Sequence, residues 1–137
     1  MIVFISCTKK KKDYKCPARE LYSASRWFRG AYEYAKTLNP RKVYILSAKY
    51  GLLEEDEIVE PYEKSLTKEK DAEIRRWSAM VVKQIERNGI DRHERVIFLC
   101  GKNYRKYLTR YFENSFAPLS HMGIGKQLAF FNEQNRG

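Results

Sequence analysis

Three short apolar runs, "IVFIS" at 2–6, "VYILS" at 43–47 and "RVIFLC" at 95–100, stand out along the chain. Each is too short for a helix, nearly unbroken by polar positions and rich in β-branched and aromatic residues. Such runs predict strands covered on both faces. Between them the apolar positions change to three- and four-residue steps. Over residues 18–38, Leu21, Ala24, Phe28, Ala31, Ala35 and Leu38 form one apolar stripe. At about 100° per residue, Arg19, Tyr22, Arg26 and Arg29 gather on the opposite side. Pro17 suits the start of this helix, where a missing N–H costs nothing, and "NPRK" ends it. Thr67 is the predicted cap of a second helix, with Glu69 and Asp71 at its positive dipole end and Ile74, Trp77, Val81 and Ile85 turned inward. Asn88-Gly89 stops it. Gly101 then turns the third strand into a helix with Tyr104, Leu108 and Tyr111 inward. "SFAPLSH" reads as a fourth strand that Pro118 confines to an edge, and "MGIGKQLAFFNEQ" as a turn, able to cradle phosphate on its amides, and a terminal helix.

Strands alternating with helices predict an α/β domain of three layers, a mainly parallel sheet of about four strands with helices on both faces. No repeat, linker or composition shift divides residues 1–137, so a single domain is expected. Ligands of such sheets bind beyond the carboxyl ends of the strands. Here those ends are Ser6-Cys7-Thr8, Ser47-Ala48-Lys49-Tyr50-Gly51 and Cys100-Gly101, which predicts one shared polar rim.

Charge suggests what meets that rim. Lys and Arg outnumber Asp and Glu by 27 to 17, a formal charge of +10. A surface so cationic matches the phosphate backbone of nucleic acid, DNA foremost and RNA as the alternative. Lys9, Lys10, Lys11 and Lys12, in the loop after the first strand, and Arg19, Arg26 and Arg29 are the candidate phosphate contacts. No apolar run approaches the roughly 20 residues of a membrane helix, so no membrane partner is expected. "MIVFIS" is too short and strand-like for a signal peptide, and the cytoplasm is the expected location. Cys7, Cys16 and Cys100 lack CxxC spacing and are too few for a disulfide framework. They are expected to be reduced, partly buried thiols, with no metal and no cofactor.

Several rim residues carry candidate chemistry. Lys49 follows a buried strand, where a partly desolvated ammonium can pair with phosphate, polarise a carbonyl or act as an amine nucleophile. The alternative is a strand-end lysine in solvent or paired with a loop acid. Cys7 is a candidate nucleophile, although neither His93 nor His121 is evidently placed to activate it. Backbone N–H groups at Ser6 and Cys7 can bind an anion, and Gly51 is expected to turn the chain sharply. Tyr50 and Tyr62, approached by the stiff Pro61, offer faces on which a base stacks for about 1–3 kcal/mol. Core tyrosines with bonded hydroxyls are the plainer alternative. Among the acids at 54–60, Asp56 and Glu60 are the candidate general bases, with Glu20 as a further one.

The blocks "ISCTKKK", "CPARELYSAS", "ILSAKYGLL", "EPYEKSL", "GKNYRKYL" and "GIGKQL" resemble a family of small uncharacterised domains related to the YaaA peroxide-stress proteins. Similar blocks occur in the uracil-DNA-glycosylase-like domain of archaeosine-forming enzymes. The resemblance implies a three-layer α/β domain associated with DNA or modified bases, and with protection against oxidative damage. It draws in Ser6, Cys7, Arg19, Glu20, Ser47, Lys49, Tyr50, Gly51, Pro61, Tyr62, Gly101 and Tyr104, of which Ser6, Ser47, Gly101 and Tyr104 join Tyr50, Gly51, Pro61 and Tyr62 as substrate-binding candidates. The functional expectation is a nucleic-acid-binding protein acting as an enzyme on a DNA base or its N-glycosidic bond, with Lys49, Cys7, Asp56 and Glu60 as catalytic candidates. A non-catalytic DNA- or RNA-binding module and a small nucleotide-binding domain are the alternatives.

Overall fold

All of β1 (Ile2–Ser6) is buried, which places the first strand of the chain in the middle of the molecule. The computed structural model describes residues 1–136. Its main sheet has five strands in the spatial order 51–54, 42–47, 2–6, 95–99 and 114–116. β3 (Lys42–Ser47) and β6 (Arg95–Leu99) flank β1 in parallel, with Val3 level with both Val43 and Ile97. β7 (Asn114–Phe116) continues the parallel pairing at one edge. The α/β class and the mainly parallel sheet are as the hydrophobic pattern predicts.

The number of strands is not. The segment that leads from the strand end into the acids folds back as β4 (Gly51–Glu54), antiparallel to β3 with Ser47 opposite Gly51. Just beyond it, β5 (Ile58–Val59) pairs antiparallel with β2 (Cys16–Pro17) in a separate ribbon. The reversal into β4 is made by Gly51, whose φ of 76° is costly for residues with a Cβ. A side-chain amide then holds the turn: Gln84 donates to the Tyr50 carbonyl at 3.0 Å and accepts from the Leu52 N–H at 2.7 Å.

The single helix expected over residues 18–38 is three pieces: α1 (Ala18–Leu21), a 3₁₀ turn (Tyr22–Ala24) and α2 (Arg26–Thr37). Ser25 makes the break. Its backbone is extended and its hydroxyl accepts the Phe28 N–H, the arrangement of an N-cap. The break rotates Tyr22 out of the basic face to which an unbroken helix assigns it and buries it fully. Downstream of the cap the predicted stripe holds, with Phe28, Ala31 and Ala35 buried.

α3 (Asp71–Arg87) starts later than Thr67 suggests, with Lys70 in the cap position. Its buried stripe contains the four predicted residues, and Gly89 follows it at a φ of 68°. Only one turn, α4 (Lys102–Arg105), follows Gly101, and α5 (Ile124–Gln134) completes the chain. From β1 the chain crosses to β3 on one side, then from β3 back across β1 to β6, so right-handed crossovers put α2 and α3 on opposite faces. α5 packs on α2, with the Trp27 and Phe131 rings 5.8 Å apart, and α4 packs on α3, with Trp77 and Tyr104 5.6 Å apart.

Gly51→Ala is expected to lower unfolding free energy by about 1–3 kcal/mol, because it strains the backbone and a Cβ there collides with Gln84 Oε1 and comes within 2.8 Å of Met80 Cε. Gly89→Ala, with a similar φ but nothing within 4 Å, is expected to cost less. Urea midpoints compare the two. Equal losses would mean that the packing around Gly51 is immaterial.

Candidate functional site

Parallel register brings the strand ends together. Ser6 lies level with Leu46, and the Cys7 N–H extends the ladder to the Leu46 carbonyl at 2.8 Å, so Cys7 emerges beside Ser47. Cys7 Sγ accepts the Ala48 N–H at 3.3 Å and lies 3.4 Å from Tyr104 Oη. Ser47 Oγ accepts the N–H groups of Lys49 and Tyr50 at 3.2 and 2.9 Å and donates to Tyr62 Oη at 2.8 Å. Tyr62 Oη is in turn 2.7 Å from Tyr22 Oη. Three phenols from the turn after α1, the loop after β5 and α4 thus converge with a thiol and a serine at the carboxyl end of the sheet.

Burial raises the pKa of Tyr22, Tyr62 and Tyr104 well above the usual tyrosine range, and the Cys7 side chain adds to the effect. These phenols are therefore neutral hydrogen-bonding groups at ordinary pH, not acids that give up their protons. Tyr104 Oη also accepts the Leu66 N–H at 3.2 Å, and Trp77 Nε1 donates to the Ser47 carbonyl at 2.9 Å, so α3 and α4 both brace the network.

An open cleft of about 570 Å³ shares Tyr62 with this network, and it is lined by Lys9, Lys10, Lys11, Lys12 and Asp13 together with Pro61 and Glu63. The Lys11 ammonium sits 4.5 Å from the centroid of the Tyr62 ring and donates to the Lys9 carbonyl at 3.2 Å. Partial burial lowers its pKa, against the opposing pull of Cys7 and Glu63. Four lysines against Asp13 and Glu63 leave the cleft with an excess of positive charge around the Tyr62 ring.

Residues 2–133 match the model of DUF6884, a family of unknown function. The chain belongs to this family. No curated protein and no solved structure matches it.

In this DUF6884 chain the expected site residues divide into those gathered and those not. Ser6, Cys7, Ser47, Tyr62 and Tyr104 are buried around the strand ends, and Tyr50 meets Tyr62 edge-on with centroids 5.5 Å apart. Pro61 and the four lysines line the cleft. Lys49 does not. It is exposed, with its ammonium 5.2 Å from the Tyr50 centroid, which corrects the expectation of a partly desolvated lysine at that position. The physical reason is Ser47, whose hydroxyl captures the next two free N–H groups and turns the chain away from the cleft. Lys11 is the half-buried lysine instead.

Among the acids, Asp56 is exposed and paired with Arg19, and Glu60 is exposed. Neither lines the cleft; Asp13 and Glu63 do. Glu20 lies against Cys16, whose thiol pKa is raised by burial and by that carboxylate. Arg26 is exposed, and Arg29 donates to the Ser23 carbonyl at 2.7 Å. Gly51 serves the turn into β4. Gly101 has an ordinary φ of −69° and caps α4. Tyr62 does not present a bare face for stacking, because Lys11 already covers it. A Cβ added at Gly123 or Gly125 would meet nothing within 4 Å, so close packing does not explain those glycines.

Among the described residues no cluster of His, Cys, Asp and Glu suits a metal ion, and the three cysteines are free. Burial pushes the Cys100 thiol up to about 12, which keeps it protonated. No helix among the described residues is long and apolar enough to cross a membrane. Sequence reasoning misses Tyr22, Gln84 and the special place of Lys11. Only Tyr22 carries a signal, the Ser25 cap three residues before Phe28.

Raised phenol pKa values have a sign for stability. The native state keeps protons that the unfolded state releases from about pH 10, so stability contributed below that pH is lost as pH rises toward the native values. Urea unfolding is expected to show a fall in stability between pH 9 and 11 (about the unperturbed tyrosine pKa). Tyr22→Phe and Tyr104→Phe are expected to flatten it, and an unchanged slope in both would refute the assignment.

Proposed function

We propose that the protein binds nucleic acid at the carboxyl end of its sheet, with DNA favoured and the cytoplasm as its setting. The juxtaposition that carries this reading is a run of four lysines lining a cleft whose wall includes Tyr62, the phenol that joins it to the hydrogen-bonded network at the strand ends. Clustered cations near a phosphodiester release condensed counterions, which supplies sequence-independent affinity. The resemblance of the strand-end blocks to YaaA-related domains supports DNA as the polymer.

A second reading, an enzyme acting on a base or its N-glycosidic bond, is favoured by Lys11. This amine is half-buried, has a lowered pKa and sits in the cleft, which are the properties expected of an amine nucleophile. In that reading Lys11 Nζ bonds to the sugar anomeric carbon as the base leaves with the bonding pair and takes up a proton. The nitrogen loses a proton to solvent and passes its second to the ring oxygen as the bond between that oxygen and the anomeric carbon breaks, which opens the sugar and leaves an imine that water can hydrolyse.

Fluorescence titration of DNA and RNA oligonucleotides over a range of salt tests the binding. A linear fall of log affinity with log salt is expected, and the Lys9→Glu, Lys10→Glu double variant should shrink that slope by about 2 and abolish tight binding. Salt-independent affinity, or none, would refute the proposal. For the enzymatic reading, borohydride trapping on abasic and damaged-base DNA is expected to give an adduct that Lys11→Ala removes and Lys49→Ala retains. Absence of any adduct and of base release across the panel would leave the binding module.

A further inference from the structure

A second concentration of positive charge lies outside the cleft, around a tyrosine that the strand-end site does not use. Residues 102–112 carry Lys102, Arg105, Lys106 and Arg110 and no acid. Three cations surround the ring of Tyr107: Arg75 of α3 has its guanidinium carbon 4.6 Å from the centroid, Arg110 5.1 Å and the Lys106 ammonium 5.3 Å. Attraction to the ring's negative face holds these groups in place despite their mutual repulsion.

One carboxylate offsets them. Asp71 accepts the Tyr107 hydroxyl at 2.5 Å, Arg75 Nε at 2.8 Å and the Lys106 ammonium at 3.0 Å. These bonds hold its carboxyl far below the usual range, so it stays ionised and fully engaged. Three cations around the ring against the single carboxylate of Asp71 leave an excess of two positive charges. Arg110 has no acidic partner among the described residues, and its fork of donors is suited to bidentate phosphate contact.

This cluster is tied to the cleft. α4 is clamped to the segment that leaves the cleft wall: Asn103 donates to the carbonyls of Leu66 and Thr67 at 2.7 and 3.2 Å, and Tyr104 holds the Leu66 N–H. Glu63 of the wall is three residues before Leu66, so at most about 11 Å of chain separates cleft wall from clamp. Tyr104 faces the strand-end network at Cys7, while Lys106 and Tyr107 of the following turn belong to the outer cluster.

We propose that Arg75, Lys106 and Arg110 around Tyr107 form a second phosphate-binding surface, so that the partner is a nucleic-acid strand running from the lysine cleft across α4 and not a mononucleotide. The inference rests on the nucleic-acid reading of the cleft. It adds a second contact region, and with it a minimum length of ligand.

The test uses a single-stranded oligonucleotide of about 20 nucleotides and a dinucleotide, each titrated at several salt concentrations against the full chain. In the Arg75→Ala, Lys106→Ala, Arg110→Ala variant the salt slope for the long strand is expected to fall by about 2–3 and its affinity by at least tenfold, while dinucleotide affinity is unchanged. Arg110→Ala alone, which breaks no ion pair, is expected to lower the slope by about 1 and keeps the test open if the triple variant fails to fold. A long-strand slope unchanged in both variants, while Lys9→Glu, Lys10→Glu weakens binding, would overturn the second surface and leave the cleft intact. Failure of the wild-type chain to bind either probe would overturn the cleft reading as well. Displacement of the long strand by polyglutamate at equal charge concentration would also overturn it, in favour of an acidic protein partner.

Discussion

The Ser47 hydroxyl is fully buried and has three bonds to satisfy at once. It accepts from Lys49 and Tyr50 and donates to Tyr62, and each of those bonds determines the course of a different piece of chain. The two amide bonds curl the backbone at the end of β3, so that Gly51 can reverse it into β4 under the Gln84 clamp. The phenol bond pins the loop after β5 over the strand ends, which puts Tyr62 between the network and the lysine cleft. Trp77 meanwhile anchors α3 to the carbonyl of the same residue. A buried hydroxyl left without partners costs about 1–3 kcal/mol, so these arrangements stand or fall together.

The acids between Glu54 and Glu57 take a structural role in this setting. Glu54 pairs with Lys42, Glu55 with Lys36 and Asp56 with Arg19. Glu54 ends β4, and Glu55 and Asp56 lie in the turn that follows it. Exposed pairs of this kind contribute little to stability individually. Their larger effect is on the distribution of charge: four acids stand together at 54–57. The positive excess is left at the loop 9–12 and around α4.

How much of this is legible in the sequence follows from the range of each interaction. The three buried strands and the α3 stripe depend on local periodicity, which is visible in the chain, whereas the strand expected over "SFAPLSH" is β7 (Asn114–Phe116) and shares only Ser115 and Phe116 with it. β4 is not, because "GLLE" is too short for a pattern and its pairing depends on a φ at Gly51 and an amide on another helix. Treating residues 18–38 as one helix puts Tyr22 on the wrong side, although Ser25 carries the cap that divides them. The rim is legible as a place but not in its occupants. Lys49 is exposed and Lys11 half-buried because of hydrogen bonds to Ser47 and a cation–ring contact with Tyr62, and no spacing rule reports such tertiary contacts.

The central position of β1 also governs the order of assembly. Its two partners begin at Lys42 and Arg95, so β1 is synthesised before either, and both of its sides are occupied only once residues 95–99 are made. Pairings so distant in sequence slow folding, and a nascent hydrophobic strand with one open side is prone to capture by other chains. Until residues 95–99 emerge, shelter for that side has to come from a chaperone or from the tunnel itself.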